Sequence, residues 1–316
     1  MKILVTGSSG FIGHHIIDQL YGDHHIVGID NHDTYASLDK NELRRLVLDR
    51  NDYAPASVEY NFDIRNGEPI FEDKYDVVIH TASFPRQHEV TQSPIEAINT
   101  MTAGLLHTLN ASVGCERFVF LSSSMVYGDF PNFVTEGHEA KPNTLYGQLK
   151  LTGEQVVKTW CLRHGVPYTI IRPSAVYGAR DVNNRLVGKF ITQAMLGEKL
   201  IARGYDEILD FTHVDDLAKG IVQATFSSKA ENQTYNLTRS DQKCRTIGEA
   251  GENIIAIVGN GTLVSEPRDT AFPKRGNLSI DKACNDFDYN PQINIEEGFQ
   301  RYYEWLHSFF KCQNSV

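Results

Sequence analysis

Tyr146 and Lys150 stand four residues apart in "YGQLK", one helical turn from each other on the same face of a helix. A phenol beside an ammonium is a candidate proton-transfer pair. A free tyrosine titrates near 10, so service as a base near pH 7 takes a shift of roughly 3 units, or about 4 kcal/mol. Lys150 and a cationic cofactor ring are the plausible sources of that shift. About two dozen residues upstream, "FVFLSSSMVYG" (118–128) runs an apolar stretch into three serines. Open α/β sheets bind ligands at such strand ends. Ser122 and Ser124 could equally satisfy loose backbone there.

A second constellation lies at the start of the chain. "TGSSGFIG" (6–13) separates a short β-branched run from a stretch with helical spacing. Gly7 permits the tight turn, Gly10 lets backbone approach a pyrophosphate, and Gly13 lets the helix pack close, leaving N–H groups aimed at phosphates. Seventeen residues after Gly13 comes Asp30, whose carboxylate would accept from both ribose hydroxyls and repel a 2′-phosphate. The expected cofactor is therefore NAD rather than NADP.

These groups need a frame, and the chain offers a repeating one. "KILVT", "HHIVGID", "YDVVIH" (75–80), "RFVFLS" (117–122) and "YTIIRP" (168–173) read as strands, alternating with helical stretches near 95–113 and 146–164. The polar stretch 31–57 reads as a partly helical excursion. Alternation of this kind predicts an α/β fold, a Rossmann-type doubly wound parallel sheet covered on both faces. From Tyr177 onward the order loosens: a helix at "GKFITQAMLGE", a turn at "RGYDE", a capped helix at "HVDDLAKGI" and an amphipathic C-terminal helix. We expect an NAD-binding domain over 1–176, and over 177–316 a smaller substrate-binding lobe partly interleaved with the Rossmann sheet.

Composition removes several classes of function. With 41% hydrophobic and 22% charged residues the chain is an ordinary globular protein, not a disordered one. The formal charge of −10 disfavours nucleic acid and anionic membranes as partners. Five scattered cysteines (Cys115, Cys161, Cys244, Cys284, Cys312) suggest neither a zinc site nor a disulfide framework. The N-terminus lacks a signal-type apolar region, and no 18-residue apolar span follows, so the expected location is the cytoplasm.

Taken in order and spacing, the glycine motif, Asp30, "DI" at 63–64, "VIHTAS", "SSSMVYG", "YGQLK" and "IRPSAVYG" resemble the extended short-chain dehydrogenase/reductase family, specifically its nucleotide-sugar epimerase and dehydratase branch, over nearly the whole chain. The resemblance implies a catalytic triad of Ser123, Tyr146 and Lys150. It implies cofactor contacts from Gly7, Gly10, Phe11, Ile12, Gly13, Asp30 and Asn31, an adenine site at Asp63 and Ile64, and a nicotinamide side lined by "HTAS" (His80, Thr81, Ala82, Ser83) and Pro173. A homodimer through the helices near 95–113 and 146–164 is also implied.

Departures from the family pattern carry information. Relatives that remove water from the sugar have Asp and Glu where this chain has Ser124 and Met125, and decarboxylating relatives likewise tend to carry a glutamate there. Without a second acid and base, chemistry at a single carbinol remains. The expected reaction is epimerisation of a nucleotide-diphosphate sugar at C4, with a UDP-sugar the expected substrate. A 4-keto-sugar reductase and a non-catalytic NAD-binding protein are the alternatives. Family contacts to the sugar nucleotide are altered at Met101, Ala175, Arg185-Leu186 and Leu209. Arg203 and Arg268 are candidate replacements on the diphosphate, and Arg86, Ser124, Met125 and Leu186 are candidate substrate contacts. A gate for a C2 N-acetyl group would fall near Pro273–Gly276.

Overall fold

The computed structural model describes residues 1–32, 40–67, 74–182, 185–240 and 245–311; Cys244, Cys312 and part of the polar excursion after β2 lie outside them. Strands β1 (Lys2–Thr6), β2 (His25–Asp30), β3 (Val58–Asn61), β4 (Val77–His80), β5 (Arg117–Leu121), β6 (Tyr168–Pro173) and β11 (Gln233–Leu237) form one parallel sheet in the order β11-β6-β5-β4-β1-β2-β3. Strand order reverses between β1 and β4, which opens a crevice above their C-terminal ends.

Alternation along each strand feeds two cores. Ile3 and Val5 of β1 face helices α1 (Phe11–Leu20) and α8 (Val214–Phe226), while Leu4 faces α5 (Leu105–Ala111) and α6 (Leu145–His164). Helix α2 (Lys40–Tyr53) occupies the excursion between β2 and β3.

The helix expected near 95–113 is not one regular element. It is α4 (Pro94–Ile98), a π-helical turn (Asn99–Gly104) and then α5, preceded by α3 (Gln87–Gln92). Gly104 admits Ile64 so closely that a Cβ there would stand 2.7 Å from Ile64 Cδ1. The wider turn also buries Met101 among Phe84, Val90, Ala97 and Leu149.

The second half of the chain supplies a smaller lobe from α7 (Leu186–Met195), α9 (Ile247–Val258) and α11 (Ile295–Lys311), packed through Phe190, Ile254, Phe299 and Leu306. Thr246 and Glu249 close a reciprocal cap at the start of α9. Short pairs join β7 (Val176–Tyr177) to β10 (Thr212–His213), β8 (Lys199–Arg203) to β13 (Thr262–Glu266), and β9 (Ile208–Leu209) to β12 (Arg245–Thr246). Helix α10 (Asp281–Phe287) packs beside β11. Among the described residues no helix is long and apolar enough to cross a membrane.

Candidate active site

A cavity of about 610 Å³ runs from the glycine turn, across the ends of β4 and β5, into the smaller lobe. All the site residues expected from sequence line it except His80. That histidine is buried, hydrogen-bonded to Thr6 Oγ1 at 2.9 Å and stacked near Phe118 and Phe120. It packs the sheet rather than walling the cavity, because the last residue of β4 points inward and the wall begins at Thr81.

The glycine turn fits a dinucleotide. Gly7 has φ +73°, and a Cβ there would stand 2.7 Å from the Ala82 nitrogen; at Gly13 it would overlap the Gly7 carbonyl oxygen. Side chains at either position would push the turn away from its neighbours, β4's end at Gly7 and helix α1 at Gly13, and with it the N–H groups that a pyrophosphate needs. Asp30, at the end of β2, accepts from the N–H groups of Ser9 (3.1 Å) and His32 (2.7 Å). Burial raises its pKa, and the hydrogen bond from the His32 N–H opposes the shift. Asp63 is held below its usual range by hydrogen bonds from Arg65.

Helix α6 presents the proton-transfer pair. Thr144 caps it by accepting from Gly147 N–H at 3.1 Å, and the Tyr146 N–H donates to Gln87 Oε1 at 3.0 Å, so donors of the first turn are satisfied. Lys150 Nζ donates to the Leu121 carbonyl at 2.8 Å and lies 5.9 Å from the Tyr146 ring centre. Burial pushes the Lys150 pKa down to about 7, opposed by Glu154. The same physics pushes the Tyr146 phenol up, opposed by Arg185 and by a hydrogen bond from Ser123.

The three serines face three ways. Ser122 donates to Glu154 Oε1 at 2.6 Å, within a buried network in which Arg172 grips Glu154 at 2.6 and 2.8 Å and also donates to the Tyr127 hydroxyl at 2.9 Å. Ser123 accepts from Met125 N–H at 3.2 Å and reaches Tyr146. Ser124 is buried on the cavity wall.

The arginines singled out from sequence reach the wall but are engaged. Arg86 pairs with Glu89, with Nε 2.9 Å from Oε2. Arg203 pairs with Glu266 at 3.1 Å and is 59% exposed, and Arg268 pairs with Glu207 at 3.3 Å. Three further arginines line the cavity: Arg50, Arg185 and Arg275. Arg185 donates weakly to the Val176 and Pro85 carbonyls (3.5 and 3.4 Å), pairs with Asp181 at 3.7 Å, and its charge reaches Tyr146. Arg275 lines the same cavity with its Nε unpaired, and burial lowers its pKa to about 10. Its place within Pro273–Gly276, the stretch expected to gate a C2 N-acetyl group, was the available signal.

Among the described residues no group of three or more His, Cys, Asp or Glu is arranged to hold a metal ion. The chain is similar to several known proteins. A Bacillus subtilis protein described as an uncharacterized UDP-glucose epimerase is 27% identical over 98% of this chain and 99% of its own length. The crystal structure of UDP-glucuronic acid 4-epimerase from Bacillus cereus, in complex with UDP-glucuronic acid and NAD, superposes with a TM-score of 0.89 at 25% identity, covering 98% of this chain and 99% of that one. A UDP-glucuronic acid decarboxylase of Xenopus tropicalis is 28% identical over 95% of this chain and 70% of its own length. Residues 3–238 match the model of one family, and the chain belongs to it: the NAD dependent epimerase/dehydratase family.

Proposed function

We propose that the protein is an NAD-dependent UDP-sugar epimerase that inverts C4 through a transient 4-keto sugar. The observation that carries this reading is the make-up of the cavity wall. Ser123, Tyr146 and Lys150 converge at its centre, while its acids among the described residues are Asp30 and Asp63 toward the glycine turn and Glu207 and Asp269 in the smaller lobe. Dehydration needs a further acid and base beside the reacting carbons, and Ser124 and Met125 supply neither.

Bound NAD supplies the hydride acceptor and donor, and a positive ring charge that favours the phenolate. The chain's own residues do the rest. Tyr146 takes the O4 proton while the Ser123 hydroxyl donates a hydrogen bond to O4. Lys150 stabilises the phenolate electrostatically. After the keto sugar turns over, Tyr146 returns the proton to O4 on the opposite stereochemical course. Gly7, Gly10, Gly13 and Asp30 hold the cofactor, with Phe11, Ile12, Asn31, Asp63, Ile64, Thr81, Ala82, Ser83 and Pro173 around it. Arg275 and Arg268 are placed for the diphosphate, with Arg203 at the rim.

A more specific substrate reading is supported by Arg185. Its charge acts on Tyr146 from the wall of the same cavity, which suits a sugar with a carboxylate at C5. The test is purified protein with UDP-glucose, UDP-galactose, UDP-glucuronate and UDP-galacturonate, following interconversion by chromatography. Absence of interconversion together with net NADH consumption on a 4-keto sugar would replace epimerase by reductase.

A homodimer is part of this reading, and exposed apolar residues on the helices expected to pair support it. Ile95 (69% exposed) and Leu106 (40%) project from α4 and α5, and Leu162 (84%) from α6. Cys115, Cys161 and Cys284 are free thiols, which suits a reducing cytosol. Sedimentation at micromolar concentration checks the dimer.

A further inference from the structure

Glu59 places a carboxylate beneath the phosphate turn, where a β-strand residue could have carried an apolar side chain. β3 pairs with β2 so that Glu59 stands opposite Gly28. The missing Cβ at Gly28 lets the carboxylate fold over β2 toward the turn, where a Cβ would overlap it. Its Oε1 accepts from Ser8 Oγ at 2.6 Å and from Ser9 Oγ at 3.1 Å. Ser8 and Ser9 lie between the first two glycines of the turn; the Ser8 hydroxyl donates to Glu59, and the Ser9 hydroxyl lies within reach of both Glu59 and Asn51 Oδ1 at 3.3 Å.

Asp30 holds the same turn from its other side, accepting from the Ser9 N–H at 3.1 Å. Ser9 therefore bridges two carboxylates, one through its amide and one through its hydroxyl. His32 spans them as well, donating its N–H to Asp30 Oδ1 at 2.7 Å with ring Nε2 3.8 Å from Glu59 Oε1. Arg50, the neighbouring cation on the cavity wall, donates from its Nη atoms to the Ser9 and Arg180 carbonyls at 2.7 and 2.6 Å and keeps its charge beside Asp30.

We propose that Glu59 is a second cofactor-specificity residue, acting with Asp30 to exclude a dinucleotide that carries a phosphate on the 2′-hydroxyl of its adenosine ribose. Two effects combine. A phosphate dianion arriving beside Asp30 meets the field of a second, partly buried carboxylate. It also finds the serine hydroxyls already donated elsewhere, so the turn offers it no free hydroxyl donor. NAD, with a plain hydroxyl at that position, needs neither donor nor cation. The inference rests on membership of an NAD-dependent family and is independent of which sugar is turned over.

The experiment is calorimetric titration of the full chain, stripped of nucleotide, with NAD⁺ and NADP⁺, for wild type, Asp30→Asn, Glu59→Gln and the double variant. Turnover is not needed. Asp30→Asn alone is expected to leave NAD⁺ the tighter ligand, and the double variant to improve the NADP⁺-to-NAD⁺ affinity ratio by about a further tenfold or more. A residue that merely fastens the turn would change both affinities by one factor. If Glu59→Gln shifts NAD⁺ and NADP⁺ equally in both backgrounds, or if Asp30→Asn alone already binds the two equally, the proposal is wrong. Should Glu59→Gln not fold, Glu59→Met supplies the same comparison, and the Asp30→Asn arm stands by itself.

Discussion

Glu154 lies one helical turn beyond Lys150 on α6, and its buried carboxylate is held by the Arg172 guanidinium at 2.6 and 2.8 Å. The pair also receives Ser122, so it ties the catalytic helix, the end of β5 and the end of β6 into one unit. Removing one partner of a buried pair leaves the other charge uncompensated. Glu154→Gln is therefore expected to destabilise the protein by roughly 3–5 kcal/mol. Glu154→Met with Arg172→Met should lose less than Glu154→Gln. Urea denaturation of the three proteins gives the comparison.

Tyr146→Phe removes the acid/base hydroxyl and leaves the glycine turn and Asp30 intact. Turnover should fall by roughly 10² to 10⁴ while NAD stays bound. Lys150→Ala should lower turnover and also weaken NAD binding, and Ser123→Ala should be milder than either. Turnover on the preferred UDP-sugar, with cofactor occupancy read by absorbance after denaturation, checks all three. Near-wild-type turnover in Tyr146→Phe would refute the assignment of the base.

His80 sets part of the acid limit. Burial and the Lys150 charge depress its folded pKa to about 3, against an ordinary value of 6.5. Between those values the unfolded chain binds the proton that the folded one refuses, so stability is full above about 6.5 and falls as pH drops toward 3. Lys150 acts with the same sign in a higher window, losing stability as pH falls from 10.5 to about 7. His80→Asn should flatten the melting temperature between pH 6.5 and 4.5 relative to wild type. An unchanged slope in differential scanning calorimetry would remove His80 from the account.

Arg275 has an unpaired Nε on the cavity wall, whereas Arg203 is exposed and paired with Glu266. Arg275→Ala should weaken UDP binding by about 10- to 100-fold, since a charge-assisted pair to a diphosphate is lost in a partly desolvated site. Arg203→Ala should change it by less than about threefold. Competitive titration with UDP ranks the two, and equal effects would contradict the assignment.

The parts legible in the sequence are those written in local periods. The glycine turn, the Tyr146–Lys150 spacing and the strand runs each depend on residues within a few positions of one another, and Asp30 closes the strand that directly follows the first helix. The parts that were not legible depend on distant pairs. Gln87 satisfies the Tyr146 N–H from 59 residues away, and Glu59 reaches Ser8 across 51. His80 belongs to a motif that reads as cavity wall, but the pleat turns it inward against Phe118 and Phe120. The π-helical turn at Asn99–Gly104 changes the period by a single residue, which hydropathy over a short window does not register.

Strand β11 enters the sheet from the second half of the chain and pairs along β6 from Thr169 to Pro173. A fragment ending near residue 176 would therefore expose β6, with its Ile170 and Ile171, as an open sheet edge. Such a fragment would also lose α8 from the face that covers β1. Expressed alone, the nucleotide-binding half should self-associate rather than stand as a soluble unit, so evolution by exchange of whole substrate lobes is closed to this architecture unless β11 and α8 are kept with the recipient.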